Sequence, residues 1–105
     1  MSVYEDITKA IIAAIAIATA TPALAQDPCT NIGDLAETMM THRQGGTAIS
    51  ELMPKLDGNE LFIKMLLGAY AEPRYSTGEY RQRAVDDFRA LWELGCYQAM
   101  TEHGT

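Results

Sequence analysis

Cys29, Ile32, Leu35, Ala36, Met39 and Met40 recur at spacings of three and four, so a helix through this stretch gathers them on one face. Asp34, Glu37, Thr38 and Thr41 fall on the other. Asp27-Pro28 marks the start, an acid at the cap and a proline in the first turn, where its missing N–H costs nothing. Gly45-Gly46 marks the stop. A shorter helix is expected from about Thr47 to Leu56, capped by Thr47 or Ser50, with Ile49, Leu52, Met53 and Leu56 turned inward. Pro54 interrupts it, because proline breaks a helix interior, so the helix either starts near Met53 or kinks there. Asp57-Gly58-Asn59 reads as a turn followed by the next cap.

The pattern changes between Glu60 and Ala71. Leu61, Phe62, Ile63, Met65, Leu66, Leu67, Ala69 and Tyr70 surround the axis, and only Glu60, Lys64 and Gly68 form a polar stripe. A helix apolar nearly all round is expected to be buried, here as the centre of the core, and Pro73 forbids its continuation. Ser76-Thr77-Gly78-Glu79 matches a capping box and opens the longest helix, from about Thr77 to Met100. Helical spacing places Tyr80, Ala84, Phe88, Leu91, Trp92, Gly95 and Ala99 on its inner face, opposite Glu79, Gln82, Arg83, Asp86, Ala90 and Glu93. Gly95, inside the apolar stripe, costs about 1 kcal/mol of helix propensity, which predicts close approach of a neighbouring helix beside the cysteines. No stretch alternates with period two, so the expected fold is all-α, a small bundle of three long helices and one short one.

Upstream of this pattern, the apolar block AIIAAIAIATA runs into Thr21, Pro22 and Ala23-Leu24-Ala25. A short apolar block with an A-x-A site is a secretory signal peptide, cleaved after Ala25. Its first segment carries Glu5 and Asp6 against Lys9, whereas leaders are normally positive there, and a misplaced start codon accounts for the difference. The block is well short of the roughly 17–25 residues of a spanning helix. The expected organisation is a leader over residues 1–25 and one helical domain over 26–105, periplasmic or secreted. In an oxidising compartment Cys29 and Cys96, the two cysteines of the chain, are expected to pair. The bridge would tie together both ends of a domain near the lower size limit for an unaided core. No C-x-x-C is present, which removes a zinc knuckle and a thioredoxin-type redox pair.

The net charge of −6 becomes −5 once Glu5, Asp6 and Lys9 leave with the leader. An acidic chain without a basic run repels phosphate backbones, which argues against nucleic acid. His42 stands next to Arg43 in a helix's last turn, where cations favour the dipole, and its nearest acid in sequence, Glu37, is off the i+3 or i+4 face. His103 follows the last apolar position. Asp86 and Asp87, adjacent on a helix, diverge and cannot share an ion. Neither G-x-S-x-G, H-E-x-x-H nor a phosphate loop occurs, so no catalytic residue, metal or cofactor is assigned. Arg81 sits on the apolar face of a first helical turn, where positive charge opposes the dipole. Either that turn overhangs the core and Arg81 snorkels to water, or Arg81 joins Arg74, Tyr75 and Tyr80 in an Arg/Tyr patch that binds a partner. The methionines on apolar faces, Met39, Met40, Met53 and Met65, fill gaps.

The run Met39-Met40-Thr41-His42-Arg43-Gln44-Gly45-Gly46, with Pro73-Arg74-Tyr75 and the helix of Phe88, Trp92 and Cys96, resembles small exported two-cysteine helical proteins of proteobacteria and their phages. That resemblance implies export, helices and a disulfide, and no mechanism. The expected function is a non-catalytic interaction protein, an inhibitor, accessory or immunity-type factor of another exported protein. The alternative is a stress chaperone, since size, compartment and staple are similar to those of the small periplasmic acid-activated chaperones. An enzyme is the third class, and no constellation of residues carries it.

Overall fold

A computed structural model describes residues 27–102, so the expected leader and its expected cleavage after Ala25, as well as His103, lie outside the described residues. Helix α1 spans Pro28–Gly45, α2 Ile49–Leu52, α3 Glu60–Ala71 and α4 Gly78–Glu102, with a 3-10 turn over Met53–Leu56. No strand occurs among the described residues. The start of α1 is bridged to the end of α4 through Cys29 and Cys96, and its last turn meets the end of α3 through Arg43 and Glu72. Hence α1 and α3 run parallel and α4 runs antiparallel to both. The segment carrying α2 and the 3-10 turn is the return path that a parallel pair requires.

Local signals set the ends of α1. Asp27 Oδ1 accepts the Cys29 N–H at 2.8 Å, and Gly46 closes the helix with φ 87°, a left-handed conformation that glycine adopts without a steric penalty. Asn59 caps α3 by accepting the Phe62 N–H at 3.0 Å, after Asp57 and Gly58 turn the chain at positive φ. Two caps differ from expectation. Ala48 precedes α2 without a side-chain bond, because Thr47 Oγ1 is engaged by His42 Nδ1 at 3.0 Å. On α4 the capping oxygen belongs to Thr77, which accepts the Tyr80 N–H at 3.3 Å, in place of Ser76. Pro54 does break the second segment at Met53: the α-helical turn ends at Leu52 and a 3-10 turn starts at Met53 with the proline in its first turn, where it is tolerated.

The core is small. Ala36, Met39 and Met40 of α1 pack with Met65, Leu66 and Ala69 of α3 and with Val85 and Phe88 of α4, and Ile32, Leu35 and Trp92 close its margin. Three of these eight are methionines, whose flexible thioethers fill irregular space between short helices.

Two sequence expectations fail here for one reason. Helix α3 is not a buried central helix: Met65, Leu66 and Ala69 are its buried residues, while Leu61 and Leu67 are about half exposed. On α4, Tyr80, Leu91, Gly95 and Ala99 of the expected inner face are exposed. A bundle whose second helix is one turn long has too little surface to cover every apolar side of α3 and α4.

Gly95 is the third correction, since a Cβ there would meet nothing within 4 Å. The close approach falls instead at Gly33, buried in α1, where a Cβ would collide with the carboxylate end of Glu93 on α4. Opposite outcomes are expected. Gly95→Ala should raise stability by up to about 1 kcal/mol, the helix-propensity difference with no clash. Gly33→Ala should forfeit that gain, because Glu93 must move off Arg89, and should melt at or below wild type. Thermal unfolding of both variants checks this, and a stabilised Gly33→Ala beside a destabilised Gly95→Ala would refute it.

Candidate interaction surface

At one end of the bundle the α3–α4 connection is held by a buried glutamine. Gln44, only 3% exposed, lies four residues after Met40 on the inner face of α1. Its Nε2 donates to Pro73 O at 2.9 Å, and its Oε1 accepts the Tyr75 N–H at 2.9 Å. The neighbouring cations serve the same segment: Arg43 Nε donates to Glu72 O at 2.9 Å and Arg81 Nε to Tyr75 O at 2.6 Å. Arg74 lies against Gly46, whose missing side chain leaves it room.

The four residues of the Arg/Tyr patch therefore meet at one end. The Tyr75 and Tyr80 rings lie 6.2 Å apart, and Arg83 covers the outer Tyr80 ring at 5.4 Å. Arg81 is exposed, with its guanidinium bonded back to the connection. These hydrogen bonds supply a structural reason for residues that the sequence marks only by composition. His42 likewise bonds Thr47, and Asp86 accepts from Gln82 at 2.9 Å.

Midway along α1 and α4, Arg89 joins three carboxylates. It lies 2.7 Å from Asp34, 2.6 Å from Glu37 and 2.6 Å from Glu93. The Asp34 contact heads the interactions that hold the guanidinium pKa above its ordinary value. Asp34 and Glu37, placed by spacing opposite the apolar face of α1, thus form part of the α1–α4 seam.

The other end carries an apolar cleft of about 500 Å³. Its walls are Ile32 of α1, Leu61 of α3, and Trp92, Gly95, Cys96, Ala99 and Met100 of α4. Trp92 is fixed by the edge of Phe88, ring centroids 6.2 Å apart, and Met100 Sδ rests 3.3 Å from Cys29 Sγ. The floor is open because Gly95 and Ala99 are small. Leu91 and Leu94, 62% and 55% exposed, extend the apolar surface of α4 beyond the cleft. The spacing signal for this site was present in the sequence as the all-round apolar character of α3 and the small residues beside Trp92, both of which read equally well as core.

Beside the cleft, Tyr97 donates its hydroxyl to Asp27 Oδ2 at 2.6 Å. That bond, with the Cys29 N–H, holds the Asp27 carboxyl below its ordinary 3.8, and the same bond raises the Tyr97 phenol above its ordinary 10.0. A lowered carboxyl stabilises the fold above pH 3.8 and ceases to do so as pH falls through its folded value; a raised phenol stabilises it below pH 10 and ceases as pH rises through its folded value. The stability difference between wild type and Tyr97→Phe is therefore expected to be flat from about pH 5 to 9 and to shrink on both sides. Melting curves across pH measure it, and a difference that grows toward acid or alkali would contradict the assignment.

Among the described residues no three His, Cys, Asp or Glu side chains are grouped to hold a metal, and no helix is long and apolar enough to cross a membrane. No protein-family model, curated protein or solved structure matches the chain.

Proposed function

We propose that this chain is an exported, non-catalytic interaction protein that docks its partner in the apolar cleft of α3 and α4. One observation carries the reading: a disulfide-bridged domain leaves a cleft of about 500 Å³ lined by apolar side chains, where a glycine and an alanine keep the floor open. Water-exposed apolar surface of this kind costs about 25 cal/mol per Å², and covering it is what drives association. The Arg/Tyr patch is the weaker candidate, since Arg81 and Arg74 already bond within their own chain.

The test fills the cleft. A Cβ at Gly95 meets nothing within 4 Å, and Gly95→Leu, directed into the cleft, should leave the fold intact. A partner captured from the exported fraction by wild type should be lost with Gly95→Leu and retained with Arg81→Ala. The reverse pattern would move the site to the patch.

An acid-activated chaperone is the second reading, favoured by the seam itself. Arg89 with its three carboxylates and Asp27 with Tyr97 both join α1 to α4 through acidic side chains. Loosening there would expose Phe62, Trp92 and the core methionines. Suppression of client aggregation at pH 2–3 with no effect at pH 7 would favour this reading, and a domain that stays folded in acid and protects no client would remove it.

A further inference from the structure

We propose that the cleft receives a cationic amphipathic helix of the partner, with apolar side chains seated between α3 and α4 and basic residues on the rim. The inference rests on the cleft being the docking site and adds the chemistry of what enters it.

Dimensions point to a helix. Along α4 the lining runs from Trp92 to Met100, about 12 Å or two turns at 1.5 Å per residue, which matches anchors at i, i+3 or i+4, and i+7. The lining residues are apolar, so nothing in the walls would hold a polar head group. An inserted helix would lie against three existing helices and complete a four-helix arrangement.

Charge selects the sign. Asp27, Asp57, Glu60 and Glu102 stand at the cleft end of the bundle, against Lys55 and Lys64. The N-termini of α1 and α3 share this end with the C-terminus of α4, so helix dipoles of both signs meet there and the ionised side chains set the balance. Arg89 is engaged by three carboxylates, and Arg43, Arg74, Arg81 and Arg83 lie at the opposite end. Such a rim attracts a basic helix and repels an anionic membrane and, face to face, the same end of a second copy.

Trp92, the chain's single tryptophan, lines the cleft and reports directly on its occupation. Oxidised protein is titrated with three synthetic peptides of about five helical turns. One has Leu along one face and Lys elsewhere, one has Glu in place of Lys, and one has the Leu/Lys composition with Leu positions scrambled. The Leu/Lys helix is expected to saturate a Trp92 emission shift, at least ten-fold more tightly than the other two, and to weaken several-fold from low to 0.5 M salt. Gly95→Leu and Leu61→Gln should each weaken it at least ten-fold; the two variants alter the cleft from different helices. Equal affinity for the Lys and Glu peptides would overturn the charge class, with the docking reading intact if Gly95→Leu still blocks both. Binding unaffected by either variant would overturn the docking reading as well. A concentration-dependent dimer that shifts Trp92 without peptide would overturn the proposal by assigning the cleft to a second copy.

Discussion

Removal of the Cys29–Cys96 bridge is expected to lower the stability of the domain by about 4 kcal/mol. The bridge closes a loop of sequence separation 67, and restriction of the unfolded chain by a loop of that length is worth about 4 kcal/mol in the chain-entropy model. Small domains have roughly 5–15 kcal/mol in total, so the loss is a large fraction. It also falls where little else compensates. The described core lies toward the middle of α1 and α4, and at the bridged end α1 is joined to α4 by the Tyr97–Asp27 bond and the Met100 contact. Chemical denaturation of wild type, reduced wild type and the double variant Cys29→Ala with Cys96→Ala measures the effect. The reduced protein should expose Trp92 before the rest of the fold is lost, because Trp92 lies one turn from Cys96. A change under about 1 kcal/mol would show that the helices hold this end without the staple.

Gln44→Ala is expected to cost about 2–3 kcal/mol and to lower the melting temperature by about 10 °C or more. The amide is buried and bridges both sides of one connection, taking the Tyr75 N–H and giving to Pro73 O. Truncation leaves a donor and an acceptor without protein partners, and an unsatisfied buried group costs about 1–3 kcal/mol. Gln44→Glu separates the two bonds: its carboxylate can accept from Tyr75 N–H and cannot donate to Pro73 O, so it should fall between wild type and alanine or below both if burial of the charge dominates. Amide exchange at Tyr75 should accelerate in either variant while that in the middle of α1 stays slow. A loss under about 1 kcal/mol with unchanged Tyr75 exchange would mean that Arg43 and Arg81 hold the connection by themselves.

What a single element can encode was readable from the residues. The bounds of α1 and α3 follow from Asp27-Pro28, Gly46, Asn59 and Pro73, because caps and breakers act within one turn of the atoms that they satisfy. The pairing of the cysteines followed from the expectation of export and from the chain having two of them. Spacing also placed Met39, Met40, Phe88 and Trp92 correctly against the core.

The candidate site was not legible in the same way, and the reason is physical. Periodicity tells which residues lie on an apolar face; it does not tell how much of that face other helices can cover. Helix α3 looks like a core helix because Leu61 and Leu67 are leucines, and only the one-turn length of α2 leaves them exposed. Gly95 and Gly33 carry equal signals in sequence, yet one opens a cleft and the other admits Glu93. Spacing gave Gln44 and Arg89 no role, and one appears only where partners distant in the chain, Tyr75, Pro73, Asp34 and Glu37, converge on them. Thus the residues alone determined the bounds of α1 and α3 and the staple, which depend on neighbours within a turn or on a single covalent pair. The tertiary structure alone decided which apolar surface stays in water, which glycine is a contact and which polar group is a clamp, because each of those depends on the distance between helices that the chain brings together only on folding.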